Sequence, residues 1–244
     1  FSYPGTDRKA VDNVSLSIAG GETVAIVGVN GSGKTTLAKL LCGLYTPDTG
    51  KIAIGGADSA DTEPETLYAK TSAVFQDYAC YGGLTLRENV QISDTAHPKD
   101  AEPFMRQAGC QDSLLEPEKM DAMMGRSFDG LELSGGQWQR IAMARGLYRD
   151  SDFILLDEPT ASIDPLEETR IYKMFASVAA GTNGAKDKTC VLITHRLGSA
   201  RIADRILVMD AGHLVERGTH EELLQKHGLY HEMWVSAAEQ YVEF

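Results

Sequence analysis

The stretch Gly28-Val29-Asn30-Gly31-Ser32-Gly33-Lys34-Thr35 decides the fold of this chain, because it fits the pattern Gly-x-x-x-x-Gly-Lys-Thr of a phosphate-binding loop. The apolar run Thr23-Val24-Ala25-Ile26-Val27 precedes it and predicts a buried parallel strand. Residues 35–41 follow it with apolar positions at helical spacing. A strand, a glycine-rich loop and a helix in this order are the context that the pattern requires. The stretch therefore predicts a nucleoside triphosphate site rather than a turn with a chance lysine.

The residues of this loop have different expected roles. Its backbone N–H groups line a concavity, and the N-terminus of the following helix adds partial positive charge, so the loop is suited to phosphate. Lys34 is expected to reach the β- and γ-phosphates, and the Thr35 hydroxyl is expected to bind Mg²⁺. The predicted nucleotide contacts in this part of the chain are Asn30, Gly31, Ser32, Gly33, Lys34, Thr35 and Thr36.

A second apolar run, Phe153-Ile154-Leu155-Leu156, ends in two acids, Asp157 and Glu158. Ligands bind at the carboxyl edge of the strands in open α/β sheets, so both acids are expected beside the phosphate-binding loop. Asp157 is suited to hold Mg²⁺, directly or through water, and Glu158 to accept a proton from the attacking water or to orient it. A strand followed by a solvated acidic turn is the alternative, and the loop upstream argues against it.

The composition is that of a globular protein and limits the possible partners. The 244 residues are 43% hydrophobic, and a formal net charge of −12 argues against a nucleic-acid-binding surface. No apolar run is long enough to span a bilayer. Because the chain begins with Phe1 rather than Met, we expect it to be a piece of a longer polypeptide. The cysteines lack metal-binding spacing and are expected to be reduced core residues: Cys42, Cys80, Cys110 and Cys190.

Further strands are predicted on both sides of a helix-rich middle. Residues 14–18 alternate between apolar and polar, which predicts a half-buried strand. From about 77 to 150 helix-like stretches dominate, which indicates a helical insertion. Residues 190–193 and 205–209 are then almost continuously apolar, which is typical of a sheet that helices cover on both faces.

Between the phosphate-binding loop and the acidic strand, Leu133-Ser134-Gly135-Gly136-Gln137 matches the signature sequence of ATP-binding cassette (ABC) proteins. A small hydroxyl and two glycines open a helix here, so backbone N–H groups and the helix dipole can meet a γ-phosphate. A helix that merely begins with Ser as its N-cap is the plainer interpretation. The five-residue match in this context favours the signature, and the chain resembles the ABC family.

The resemblance assigns roles to other positions, one at a time. Tyr3 resembles the aromatic residue that stacks on adenine, and Gln76 resembles the Q-loop glutamine that senses Mg²⁺ and water and faces the membrane domain. Asp164, in Ala161-Ser162-Ile163-Asp164, matches the acid of the D-loop. His195 resembles the switch histidine that contacts the γ-phosphate. The catalytic residues implied are Glu158, His195 and Gln76; the metal ligands are Thr35, Gln76 and Asp157; the signature contacts are Ser134, Gly135, Gly136 and Gln137.

Within the family, the chain looks like the ATPase domain of exporter-type transporters. The opening Phe1-Ser2-Tyr3-Pro4-Gly5, the run Leu86-Arg87-Glu88-Asn89-Val90 and the closing segment 216–223 are similar to exporter domains. Residues 125–132 differ in detail from the acidic segment that contacts the coupling helices in exporters. That departure leaves the transporter subtype open, but not the ATPase.

Since the resemblance covers the whole chain, residues 1–244 are expected to form a single ABC ATPase domain. The expected fold is α/β, a P-loop NTPase (RecA-like) core with an antiparallel β subdomain and an inserted helical subdomain. The core and the β subdomain are expected to take about residues 1–76 and 151–244, and the helical subdomain about 77–150.

The function that the resemblance implies is ATP hydrolysis that powers transport, in the direction of export, at the cytoplasmic face of the cell membrane. Two chains would form a head-to-tail dimer, with each ATP between the P-loop of one and the signature of the other. The expected partners are ATP, Mg²⁺, transmembrane domains and a second nucleotide-binding domain, identical or different, and no nucleic acid. The transported substrate is not readable from this chain.

Two other functional classes are open at this stage. A soluble ABC ATPase that acts on nucleic acid or ribosomes is expected to carry long coiled-coil interruptions, or two cassettes with basic linkers, and neither occurs in this acidic chain. A module that binds ATP without hydrolysing it is disfavoured by Glu158 and His195.

Overall fold

The computed structural model describes residues 1–128, 130–159, 165–181 and 188–239. Within them the strands are β1 (Thr23–Val27), β2 (Ala53–Ile54), β3 (Ala57–Asp58), β4 (Thr71–Val74), β5 (Phe153–Asp157), β6 (Thr189–Ile193), β7 (Arg205–Asp210) and β8 (His213–Gly218). The α-helices are α1 (Lys34–Leu41), α2 (Pro64–Ala69), α3 (Leu86–Gln91), α4 (Glu102–Gln107), α5 (Pro117–Met120), α6 (Gly135–Tyr148), α7 (Pro165–Ala180), α8 (Leu197–Ala200), α9 (His220–Gln225) and α10 (Leu229–Glu239).

Six strands form the central sheet in the order β4-β5-β6-β1-β7-β8, and every neighbouring pair is parallel except β7 with β8. In the middle of the sheet Ala25 of β1 lies opposite Leu192 of β6. Val24 and Ile26 pack with α1 on one face, and Ala25 and Val27 pack with α8, α9 and α10 on the other. Helices therefore cover both faces, as the continuous apolar strands predict.

Helices α3 to α6 form the middle of the chain, and α6 joins them to the sheet. The contact with β4 is close, because a Cβ atom on Gly146 would lie 2.6 Å from Cγ2 of Val74. The Ser72 hydroxyl also donates to the Gly146 carbonyl oxygen at 2.7 Å. A larger residue at position 146 would push α6 off the edge strand. The boundaries near 77 and 150 stay a prediction.

The strand predicted at residues 14–18 is wrong. Val14, Leu16 and Ile18 are partly buried against the core and the residues between them are exposed, as the alternation requires. However, no ladder in the described residues pairs this stretch with another strand. The alternation of apolar and polar residues indicates which side chains face the core. A strand also needs a neighbouring strand whose backbone groups are free to pair with it. The antiparallel part of the fold consists of the hairpin β2–β3 and the pair β7–β8.

The cysteines are all free, and three of them are core residues as predicted. Burial raises the pKa of Cys42, Cys110 and Cys190 to about 12. These thiols stay protonated at neutral pH, so they are poor nucleophiles. Cys80 is exposed, and its assignment to the core is wrong. It lies in the loop after β4, where the chain runs over the surface.

The last two helices dock on the sheet through polar contacts. The Glu216 carboxylate accepts hydrogen bonds from the N–H groups of Leu229 at 2.6 Å and Tyr230 at 3.2 Å, which caps the start of α10. Nδ1 of His220 lies 2.8 Å from the Tyr230 hydroxyl. The imidazole also meets the ring of Trp234 edge-on, with centroids 4.6 Å apart. His220, the first residue of α9, thus packs against α10 in a largely aromatic environment.

The surroundings of His220 predict that the folding stability of the chain depends on pH. Burial lowers the pKa of His220 below 6.5, and the nearby Arg201 guanidinium lowers it further while Glu221 opposes this. The folded chain binds the proton less tightly than the unfolded chain, so stability is lost as pH falls through 6.5 towards the folded pKa. We expect His220→Gln to reduce the fall in melting temperature between pH 7.5 and 5.5. His227→Gln, at an exposed histidine, should leave that fall unchanged. An equal fall in both variants would contradict the prediction.

Candidate functional site

Three loops meet at the carboxyl edge of the sheet, because β1, β5 and β6 are parallel neighbours that end together. The phosphate-binding loop, residues 28–33, follows β1. Asp157 is the last residue of β5 and Glu158 comes directly after it. His195 follows β6 after one residue. The three segments for which the sequence predicts a role in binding or catalysis thus lie at one edge of the sheet.

The phosphate-binding loop is held tightly from outside by neighbouring backbone. A Cβ atom on Gly28 would lie 2.1 Å from the Met209 carbonyl oxygen, and one on Gly33 would lie 2.4 Å from that of Ala10. Gly33 also has a φ of 100°, which favours glycine. Both positions therefore require glycine for reasons of packing as well as backbone conformation.

The inner side of the loop presents unpaired N–H groups. Within the described ranges, no protein group accepts a hydrogen bond from the backbone N–H of Asn30, Gly31 or Gly33. Helix α1 begins directly after them, and its N-cap residue Gly33 has no side chain to satisfy the first turn. Oriented N–H groups at a helix N-terminus bind anions. The loop therefore fits a phosphate group.

Lys34 is buried beneath the loop, with 6% of its surface exposed. Its Nζ donates to the carbonyl oxygens of Gly28 at 2.9 Å and Val29 at 3.1 Å. Burial lowers the pKa of Lys34, and the negative charges of Glu158 and Asp157 oppose that effect. The ammonium group thus lies between the loop and the two acids, where it can neutralise charge on a phosphate.

Thr35 and Asp157, the predicted metal ligands, contact each other. The Thr35 hydroxyl donates to Oδ1 of Asp157 at 3.3 Å, and Asp157 is 2% exposed. Burial raises the pKa of Asp157 to about 6, the Glu158 charge raises it too, and the Thr35 hydrogen bond opposes both. A carboxylate and a hydroxyl are the hard oxygen ligands that Mg²⁺ prefers, so these residues fit the ion.

Gln76 lies two residues beyond the end of β4. In the β4–β5 ladder Val74 is opposite Leu156, which directs the chain at Gln76 towards the edge where the acids lie. The side chain is exposed, and no hydrogen bond of it to another described residue is found. The structure therefore brings Gln76 to the carboxyl edge of the sheet, as the prediction requires, but not into contact with Asp157.

Glu158 and His195 are in contact. Nδ1 of His195 lies 3.3 Å from Oε2 of Glu158, and the Glu158 side chain is 18% exposed. The Glu158 N–H donates to the Ile193 carbonyl oxygen at 3.1 Å. Glu158 also has a φ of 46°, in the left-handed region that glutamate avoids. The backbone is thus strained at Glu158, the residue predicted to act as the general base.

The signature residues form a capped helix start that faces outward. The Ser134 hydroxyl accepts from the Gln137 N–H at 3.3 Å, and Oε1 of Gln137 accepts from the Ser134 N–H at 2.9 Å. A Cβ atom on Gly135 or Gly136 would meet nothing within 4 Å. Among the described residues no hydrogen bond or ion pair joins the signature to the P-loop. The structure does not bring these two motifs together within one chain.

Tyr3 lies against the first turn of α1. Its hydroxyl is 3.0 Å from Oγ1 of Thr36. Its ring packs edge-on against Phe1 and Tyr45, which are themselves stacked 5.0 Å apart. Phe1 and Tyr45 were missed by sequence reasoning, because nothing local to either residue shows that the three rings meet. Asp164, the predicted D-loop acid, lies outside the described residues.

Arg145 of α6 is a third residue that sequence reasoning missed. Its guanidinium donates to the carbonyl and side-chain oxygens of Asn89, each at 2.6 Å, and to the carbonyl oxygen of Ala79. It also lies over the ring of Tyr81, 4.7 Å from the centroid. Arg145 therefore ties the loop after Gln76 to the helix that begins with the signature.

These observations agree with the comparisons to known proteins. The sequence profile of the ABC transporter family matches residues 11–161, more than half of the chain. The chain belongs to the ABC transporter family. The predicted recognition as an ABC ATPase domain of exporter type, and the α/β P-loop fold, are thereby confirmed.

Individual relatives of this ABC transporter domain are similar over nearly its whole length. It is 39% identical over 238 residues to the subtilin transport ATP-binding protein SpaT of Bacillus subtilis, covering 96% of this chain and 38% of that protein. It is 38% identical to an ATP-dependent lipid A-core flippase of Pseudomonas fluorescens (strain Pf0-1), covering 94% and 37%.

Among solved structures, the ABC transporter domain is similar to a bacterial Atm1-family ABC exporter with ATP bound. The TM-score is 0.85 at 35% identity, covering 98% of this chain and 40% of that one. The chain thus spans about two fifths of the length of these relatives. In its described part, no helix combines the length and the apolar character needed to cross a membrane.

The left-handed backbone of Glu158 generates a prediction about stability. Replacement by Gly should give a free energy of unfolding about 1 kcal/mol higher than replacement by Ala, because only Ala retains the steric cost of positive φ. Both variants lose the carboxylate, so the comparison isolates the backbone. At Glu221, in the first turn of α9, the order should reverse. Denaturant titration of the four variants measures this, and Ala more stable than Gly at both positions would contradict it.

Proposed function

We propose that this chain binds ATP with Mg²⁺ and hydrolyses it to power the export of a substrate across a membrane. The observation that carries the proposal is the contact between Glu158 and His195 at the same sheet edge as Lys34 and the Thr35–Asp157 pair. An acid, a histidine, a buried cation and a metal-binding pair are the components that phosphoryl transfer to water requires.

Each residue has a distinct part in the proposed reaction. Thr35 and Asp157 would hold Mg²⁺, which would supply charge neutralisation at the phosphate oxygens when bound. The loop N–H groups and Lys34 hold the phosphates in place. Glu158 orients a water molecule and takes its proton as the water oxygen bonds to the γ-phosphorus and the bond to ADP breaks. His195 holds the Glu158 carboxylate through Nδ1 and faces the γ-phosphate with the rest of its ring.

The signature provides the argument for a second chain. The backbone N–H groups of the exposed residues Gly135 and Gly136 lie at the start of α6, and no described contact joins them to the P-loop of their own chain. We propose that they meet the γ-phosphate held by the P-loop of another copy or of a related domain, in a head-to-tail dimer. Opening after hydrolysis follows, because the group that both chains contact is cleaved.

Transmembrane domains are the other proposed partner. The relatives named as transport proteins and as an exporter are more than twice as long as this chain, which supports a membrane part beside each such domain. We place the chain at the cytoplasmic face of the cell membrane on this ground. A soluble ABC ATPase acting on nucleic acid is less well supported, since the chain carries a net charge of −12.

The role of Glu158 generates a direct test. Glu158→Gln should lower ATP turnover at least 100-fold while Mg-ATP still binds, because the amide cannot accept the proton. In gel filtration with Mg-ATP this variant should elute as a dimer. Glu118→Gln, at an exposed acid of α5, is the matched control and should retain normal turnover. Normal turnover in Glu158→Gln would exclude Glu158 as the base.

The head-to-tail arrangement makes a second prediction. Lys34→Ala removes the phosphate contact of one chain, and Ser134→Arg blocks the signature of the other. Each variant alone should be inactive and monomeric with Mg-ATP. A mixture of the two should regain turnover and dimer, because one of the two composite sites then has an intact P-loop and an intact signature. If both motifs served the same chain's nucleotide, mixing would restore nothing.

A further inference from the structure

Helix α7 presents two buried polar side chains to the turn that carries His195. Glu168 and Tyr172 are one helical turn apart and are 2% and 1% exposed. Both contact the segment 193–196, at the end of β6 and the start of α8. Neither residue was singled out from the sequence, and none of the hydrogen bonds and ion pairs found among the described residues joins Glu168 to the P-loop.

Glu168 holds the turn on both sides of His195. Its Oε1 accepts the Thr194 hydroxyl at 2.9 Å, and its Oε2 pairs with the Arg196 guanidinium at 2.8 Å. Oγ1 of Thr194 in turn accepts the N–H of Arg196 at 2.9 Å. The residues before and after the histidine are therefore fixed to each other and to α7 by charge-assisted hydrogen bonds.

Tyr172 is linked to Glu158, which contacts His195, through a shared hydrogen-bond acceptor. Its hydroxyl donates to the Ile193 carbonyl oxygen at 3.0 Å. The same oxygen accepts the N–H of Glu158 at 3.1 Å. One carbonyl group thus links the buried tyrosine, the strained residue Glu158 and the strand that leads to His195.

We propose that Glu168 and Tyr172 are positioning residues that set the geometry of the Glu158–His195 pair from α7. The inference rests on the proposed function, since it takes that pair to be catalytic. The choice of a carboxylate at position 168 supports it. A buried ion pair contributes little net stability compared with apolar packing, and here we take it to specify one arrangement of the groups around it. His195 is itself half exposed, so burial alone does not fix its imidazole.

The kinetic test uses the smallest changes that remove these contacts. Glu168→Gln should lower kcat roughly tenfold or more, and Tyr172→Phe should lower it about three- to tenfold. In both variants KM for ATP should stay within about twofold of the unmodified value, because misplaced catalytic groups slow the chemical step without weakening phosphate binding. Tyr230→Phe, which removes a hydroxyl from another fully buried tyrosine away from the site, should leave kcat unchanged. Equal losses in Tyr172→Phe and Tyr230→Phe would indicate a general stability effect and overturn the proposal.

A double-mutant cycle separates positioning from structure. In a His195→Ala background, Glu168→Gln should lower kcat by less than about twofold, because its effect passes through the missing imidazole. A full tenfold loss there would overturn the proposal. If Glu168→Gln does not fold, Thr194→Val removes one of the same contacts with a side chain of equal size.

A spectroscopic measurement tests the inference without turnover. The ¹³C–¹H signal of the His195 imidazole, assigned from its loss in His195→Ala, should shift or broaden in Tyr172→Phe and in Thr194→Val but not in Tyr230→Phe. An unchanged signal in the first two variants would overturn the inference. If His195→Ala itself has normal turnover, the proposed catalytic role of His195 fails, while the imidazole signal still reports whether α7 positions the residue.

Discussion

The parallel ladder that joins β1, β6 and β5 is the constraint on which the site depends. Parallel neighbours end at the same edge, so the loops after these strands meet although they are far apart in the sequence. A slip of one residue between β5 and β6 would turn Asp157 to the other face of the sheet and separate Glu158 from the Ile193 carbonyl group. Burial on both faces holds the register, because every such slip would also misplace the apolar side chains of the core.

Burial at this edge of the sheet strengthens the electrostatic interactions between the charged groups of the site. It lowers the pKa of Lys34 and raises that of Asp157, so each charged form is disfavoured by desolvation and favoured by the other. Charges in such surroundings are weakly screened and respond strongly to an incoming phosphate or metal ion. The buried carboxylate of Glu168 extends the same principle to the residues behind the site, where it orders a turn rather than contacting the reacting atoms.

Helix α6 connects the two parts of the chain. It begins with the exposed signature and ends against β4, where Gly146 permits close contact with Val74. Between these ends, the Gln139 amide donates to the Pro159 carbonyl oxygen, next to Glu158, and Arg145 holds the loop after Gln76. A displacement of the signature in a dimer would therefore reach both the proposed base and the proposed metal-sensing loop through a single helix.

The sequence by itself determined the elements whose causes are local. The P-loop, the apolar strands β1, β5, β6 and β7 and the helix that begins after Ser134 each depend on neighbours within a few residues, and the structure has them where they were predicted. The apolar strand that ends in two acids pointed to Glu158, and the family resemblance then pointed to His195, but no periodicity would have paired them.

The tertiary structure alone decided which distant groups meet. The contact of Glu158 with His195, the hold of Glu168 on Thr194 and Arg196, and the cluster of Phe1 with Tyr45 all join separate segments. Tertiary structure also left residues 14–18 without a strand partner and Cys80 on the surface. The physical reason is the same in each case: side-chain type and spacing set local conformation, whereas pairing depends on which edge and which face the rest of the chain leaves free.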